Sequence, residues 1–282
     1  MPRIHVGDQV DHLINWLLRT VPWLFDGISA VVNAVVNALT TVLTGPPFGV
    51  WVAVFTGAAL LARGRWFAAF TALSFLLVAS MQLGDQTMQT LAVVFVAAAA
   101  ATALAVPAGI WTASSRPARV VLRPILDSMQ TMPVFVYLIP AVFFFGVGTV
   151  PGVVATAVFA IPPGVRLTEL GIRGVDPEVV EAARAFGAHP RQILRGVQLP
   201  LALPSIMAGV NQVIMMALSM VVVAGLSGAA GLGAVVVGAV TQLDVASGFE
   251  GGLAVVILAG FLDRLTGSFA TRRARQPVRS DG

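Results

Sequence analysis

Charged side chains are scarce in this 282-residue chain, and one short stretch gathers a disproportionate share of them. Between Asp176 and Pro204 the sequence reads DPEVVEAARAFGAHPRQILRGVQLPLALP, with apolar runs on both sides. Asp176 is a good helix N-cap and Pro177 a good first helical residue. Glu178 puts negative charge in the first turn, where it favours the helix dipole. Glu181 and Arg184 are three apart and can pair on one face. Gly187 can end the helix in a left-handed conformation. His189-Pro190 then restarts a helix, which RQILRGVQL carries to Pro200. The pattern predicts two short capped helices at an angle, joined by a glycine hinge. An ordinary solvated loop needs neither caps nor a hinge, so docking is the chemistry this spacing suits.

Other chemistries are excluded by composition. All 17 basic residues are Arg, and Lys and Cys are both absent. A phosphate-binding P-loop needs its Lys, and so does a Schiff-base enzyme. Without Cys there is no disulfide, thiolate nucleophile or thiolate metal site. His5, His12 and His189 lack metal-ligand spacing. No catalytic residue, metal site or nucleic-acid partner is expected. The start, MPRIHVGDQVDHLINW, lacks the apolar core of a cleavable signal peptide.

The rest of the chain needs a bilayer. Hydrophobic residues make up 57% and charged residues 11%, where a soluble domain carries about 25% charge. Mean hydropathy is +0.89. A span needs roughly 20 apolar residues, and seven candidates appear: 47–62, 66–83, 87–112, 126–146, 150–166, 202–225 and 250–265. Arg63 and Arg65, then Arg116, Arg119 and Arg123, then Arg166 to Arg195, then Arg264 to Arg279 form four basic groups. They alternate with Arg-free loops at 84–86, 147–149 and 226–249. Positive residues stay cytoplasmic, so the docking stretch and the C-terminus are expected inside. Residues 8–20 read as an amphipathic helix. Residues 22–44 carry a polar stripe of Asp26, Ser29, Asn33, Asn37, Thr40 and Thr44. Both are expected to lie in the interface, with an eighth span as the rival for 22–44. The expected divisions are interfacial helices at 1–45, two peripheral spans at 46–84, a core at 85–268 and a basic cytoplasmic tail at 269–282.

Within the expected spans ionisable groups are almost absent, which speaks against a proton relay or an intramembrane hydrolase. Asp127 is expected to pair locally with Arg123, and Asp263 and Arg264 to mark the last inner boundary. GLSGAAGLGAVVVG, Gly225 to Gly238, lacks the dinucleotide spacing and reads as an outer turn or short re-entrant helix, with glycine allowing close packing. Pro107, Pro133, Pro140, Pro162 and Pro163 suit bent helices around a pathway, or packing alone. Met129, Met132, Phe135, Tyr137, Asn211, Met215, Met216 and Met220 are the candidate path residues, although Met stripes more often pack than line a ligand site.

EAARAFGAHPRQILRGVQLP resembles the EAA loop of ABC importer permeases: E-A-A, three residues, G, nine residues, I-x-L-P. Glu181, Ala182, Ala183, Gly187, Leu199 and Pro200 fit, and Val197 replaces the Ile. The segments VLRPILDSMQTMPVFVYLIPAVFFFGVG, PGVVATAVFAIPPGVRLTELGIR and LPLALPSIMAGVNQVIMMALSMVVVAGL are similar to permease subunits of glycine betaine/proline importers, as is GFEGGLAVVILAGFLDR. The likeness covers about 85–268. It implies an all-α polytopic fold, the type I ABC importer membrane domain, with 176–200 as the coupling loop. It implies ATPase partners that bind ATP and Mg, an extracytoplasmic binding protein, and a second permease subunit in a bacterial cytoplasmic membrane. This chain itself would bind no cofactor. Choline, carnitine, ectoine, taurine and methionine remain alternative substrates, and a structural membrane protein the alternative class.

Overall fold

The structure, a computed structural model, describes residues 6–274. His5 and residues 275–282 of the basic tail lie outside the described residues. All regular structure among the described residues is helical. The elements are α1 (Val6–Thr20), α2 (Pro22–Thr44), α3 (Phe48–Arg63), α4 (Arg65–Ser80), α5 (Gly84–Ser114) and α6 (Arg116–Thr131). There follow α7 (Phe135–Phe145), α8 (Thr149–Arg173), α9 (Pro177–Ala185) and α10 (Pro190–Ser219). Last come α11 (Val221–Leu226), α12 (Leu232–Gln242) and α13 (Val245–Ala274).

The centre of the molecule is α8, packed against both α5 and α10. Small residues let these backbones approach, as membrane helices without a hydrophobic drive between them require. A Cβ on Gly164 would sit 2.8 Å from Ala105 Cβ and 2.9 Å from Val213 Cγ2. One on Gly109 would sit 2.5 Å from Thr168 Cβ. Beside this core, α3 and α4 form a hairpin whose aromatics dock on α13. Phe261 of α13 lies 4.9 Å from Phe55 and 5.2 Å from Phe75, ring centre to ring centre.

Among the described residues, five helices are long and apolar enough to cross a membrane: α2, α5, α8, α10 and residues 245–268 of α13. The expected spans shift accordingly. Residues 47–62 and 66–83 become two 16-residue helices, about 24 Å each at 1.5 Å per residue. Residues 22–44, expected in the interface, form an unbroken 23-residue helix, long and apolar enough to span. Its Val32 and Val36 edge packs on Val93, Ala97 and Val153, while Asp26, Asn33 and Asn37 stay exposed.

Residues 126–146, expected as one span, are broken. Pro133 forces Met132 into extended backbone (ψ 136°), and α7 leaves α6 at 96°. The Tyr137 hydroxyl donates to the Met129 carbonyl and fastens the bend. Residues 202–225 also divide, α10 ending at Ser219 and α11 beginning at Val221. The 226–249 loop contains α12. There Gly225 and Gly233 touch backbone to backbone: a Cβ on Gly233 would lie 2.1 Å from the Val221 carbonyl oxygen.

Candidate functional site

The polar stretch folds as its caps dictate. Asp176 accepts the Glu178 N–H at 2.9 Å, and Pro177 opens α9. Gly187 adopts φ +80°. The Ala188 N–H then reaches the Ala183 carbonyl at 3.1 Å and the Gly187 N–H that of Arg184 at 2.9 Å. Those two bonds are the left-handed helix stop that glycine favours. His189 begins α10 with a reciprocal cap: its Nδ1 accepts the Arg191 N–H, and its own N–H donates to Gln192 Oε1 at 2.7 Å. Residues 194–198 widen into a π-helical turn. Pro200, which follows, has no N–H, and its ring would press on the Gly196 carbonyl of a regular α-turn. The polar stretch is therefore continuous with the long apolar helix α10.

The arm is tethered at one face only. Ile172, Val175, Ala202 and Ile206 form a small core on which Val180, Leu194 and Leu199 pack. No residue of α9 is buried. Glu178, Val179, Glu181, Ala182, Arg184 and Phe186 are exposed, and Phe186 is 93% exposed. The Glu181–Arg184 ion pair that this spacing permits does not form. Ala183 is half-buried against the arm, and Pro200 is exposed.

The candidate path residues fall into two groups. Met129, Met132, Phe135 and Tyr137 gather at the α6–α7 bend, with Met132 and Phe135 exposed. The α10 residues lie elsewhere. Asn211 Nδ2 donates to Asp263 Oδ1 at 3.1 Å, and Thr266 Oγ1 donates to Asn211 Oδ1, which ties α10 to α13. Met215 and Met216 pack against the main core. Met220 is 1% exposed and lines no surface of the chain.

The largest departure from the sequence reading is an ion-pair cluster. The helix expected to end at 166 runs on to Arg173, carrying Glu169 inward. Glu169, whose side chain is 7% exposed, faces Arg119 at 2.9 Å, Arg123 at 3.0 Å and Arg173 at 3.4 Å. Asp127 pairs across helices with Arg166, not with Arg123. Arg119 further donates to the Thr112 and Ala113 carbonyls, closing the end of α5. The signal was available: Arg166, Glu169 and Arg173 share one helical face, and Arg119, Arg123 and Asp127 share another. Asp263 and Arg264 likewise sit inside α13, which continues to Ala274. Arg264 lies over Phe70 at 5.2 Å. Among the described residues no cluster of His, Cys, Asp and Glu could hold a metal ion.

The family model of binding-protein-dependent transport system inner membrane components matches residues 105–275. The glycine betaine transport system permease protein OpuAB of Bacillus subtilis is 45% identical over 273 residues, 97% of each chain. The glycine betaine/carnitine transport permease protein GbuB of Listeria monocytogenes is 52% identical over 200 residues, 71% of each chain. Among solved structures, an inward-facing MetNI methionine ABC transporter chain superposes with a TM-score of 0.62 at 23% identity, over 68% of this chain and 96% of that one. That likeness fixes the type I importer fold. A family match over most of the chain and a relative aligned from end to end leave one conclusion: the chain belongs to the binding-protein-dependent transport system inner membrane component family, as a multi-pass permease subunit.

Proposed function

We propose that this chain forms part of the translocation path of an ATP-driven importer for a small zwitterionic quaternary amine such as glycine betaine. The observation that carries the substrate class is the match to a glycine betaine permease across 97% of both chains. In this reading cytoplasmic ATPase subunits bind ATP and Mg, an extracytoplasmic binding protein delivers the substrate, and a second permease subunit completes the path. The membrane is a bacterial cytoplasmic membrane, with the C-terminus and α9 inside, because the arginine-rich ends lie there.

The mechanism follows from the arm. An exposed helix held by one apolar face is built to be seized by a partner. When the ATPase pair closes, the docked α9 moves. The small core around Val180 and Leu199 and the unbroken α10 pass that motion into the bundle. The bent α6–α7 unit then switches between inward-open and outward-open states. A zwitterion carries no net charge, so the path needs no fixed counter-charge. Tight recognition of the ammonium by aromatic faces belongs to the binding protein.

The test is uptake of labelled glycine betaine into proteoliposomes holding the chain with its ATPase and binding protein. ATP alone should drive uptake, and excess unlabelled glycine betaine should compete better than carnitine, choline or methionine. Uptake on a sodium or proton gradient without ATP would overturn the reading. Stronger competition by another solute would move the substrate but keep the importer.

A further inference from the structure

Between α6 and the inner end of α8 lies a cleft of about 650 Å³ that transport as described above does not use. Its charge is unbalanced. Three arginines, Arg123, Arg166 and Arg173, line it with two carboxylates, Asp127 and Glu169, leaving one positive charge in excess, and Glu169 is shared with a third guanidinium from Arg119 behind. Arg123, Arg166 and Arg173 each spend one guanidinium nitrogen on a carboxylate, and their side chains remain 58%, 44% and 46% exposed. Each guanidinium has five N–H donors, so each keeps donors that no carboxylate takes. The walls between them are apolar: Leu126 is buried at the base, and Leu170 is 65% exposed at the side. A cationic rim over an apolar wall suits an amphiphile with an anionic head.

We propose that this cleft binds the phosphate head group of an anionic phospholipid. Guanidinium forks match phosphate oxygens in pairs. Arg166 to Arg173 form the last two turns of a spanning helix, the depth at which lipid head groups sit. Basic pockets between membrane helices on the inner side take such head groups. Leu170, exposed on the side wall, supplies contact for the upper acyl chain.

The full chain in nanodiscs of equal phosphatidylglycerol and phosphatidylcholine tests this, with native mass spectrometry counting the lipids retained on gentle release. Wild-type chain should keep phosphatidylglycerol over phosphatidylcholine. The double variant Arg123→Gln/Arg166→Gln should lower that preference on the order of thirtyfold. Glu169 keeps Arg119 and Arg173 in that variant, so the helices keep their tie. Arg123→Lys/Arg166→Lys preserves the charge and should retain most of the preference. Arg65→Gln, an exposed arginine on α4 away from the cleft, should change nothing. Equal retention of the two lipids by wild type overturns the proposal, as does an equal loss in Arg65→Gln. Millimolar inorganic phosphate forms a parallel arm: loss of the retained lipid there would mark a bare phosphate site and overturn the lipid source.

Discussion

The C-terminal end of α8 and the helix α9 are separated by three residues, carry the same residue types, and use them in opposite ways. On α8, Glu169 is withdrawn from solvent and surrounded by three guanidiniums from two helices. On α9, Glu178, Glu181 and Arg184 stand exposed and form no ion pair among the described residues. The difference separates charge that holds the chain together from charge left for something else to hold. A buried carboxylate costs several kcal/mol unless its charge is met, and Glu169 is met three times. Exposed charges on a surface helix contribute little to stability by themselves. Such a helix can be shaped for a partner at almost no cost to the fold.

Breaking the buried side of this comparison should have the largest effect. Glu169→Ala leaves Arg119, Arg123 and Arg173 close together with no carboxylate between them. Removing one member of a buried ion pair costs about 3–5 kcal/mol. The lower end applies here, because two of the three stranded guanidiniums are about half exposed and rehydrate. The expected result is a clear fall in the unfolding midpoint of the detergent-solubilised chain, with Glu169→Gln intermediate. An unchanged midpoint in both variants would mean that α6 and α8 are held by apolar packing alone.

On the exposed side the effect should appear in coupling rather than in stability. Gly187 holds φ +80°, and a Cβ there would meet no atom within 4 Å. Gly187→Val therefore acts through backbone strain, about 1–2 kcal/mol for an ordinary residue in the left-handed region. The strain falls on the helix stop, not on the bundle. Insertion should be normal, while ATPase co-purification and uptake per ATP hydrolysed both fall. Glu181→Lys should act similarly by reversing a surface charge, and without loss of stability, since Glu181 has no ion-pair partner among the described residues to lose. Normal association and coupling in both variants would show that α9 is not the transmission element.

How far the sequence shows these two regions follows from the range of their interactions. Asp176, Pro177, Gly187 and His189-Pro190 act within a few residues, so the two helices and the hinge could be read directly. The Glu169 cluster brings residue 119 to residue 169, and nothing local announces such a pairing. The span expected at 150–166 stops where Arg166 enters, because hydropathy treats a charged residue as an end. Ion pairing instead carries the helix on to Arg173. The same reasoning mistook Asp127 for a local partner of Arg123: four residues apart permits a pair, but a guanidinium on the facing helix takes it. Pro133 was visible as a bend, yet its angle depends on what α7 packs against. The polar stripe of α2 was legible, whereas its packing edge on Val93 and Val153 was set by the core.

The smallest effect concerns the opposite end of the molecule, where a carboxylate is neither buried nor offered to a partner. Asp244 follows Leu243, which holds a left-handed φ of 56°, and it caps the start of α13. It accepts from the Ala246 N–H at 3.1 Å, the Ser247 N–H at 3.2 Å and the Ser247 hydroxyl. The Ser247 side-chain bond, then its backbone bond, hold the carboxyl below the usual carboxylate range. A group with a depressed folded pKa stabilises fully above its unfolded pKa, and that contribution is lost as pH falls through the folded value. The turn between α12 and α13 should therefore loosen only in acid, below the range in which free carboxylates titrate. Amide hydrogen exchange at Ala246 and Ser247 is the readout. It should stay slow from neutral pH down to mildly acidic conditions and lose protection only below them. Asp244→Asn keeps an acceptor oxygen and should retain part of the protection with no pH step. Asp244→Ala should lose it at every pH. A protection step in wild type at or above the ordinary carboxylate range would show that the cap does not favour the charged form.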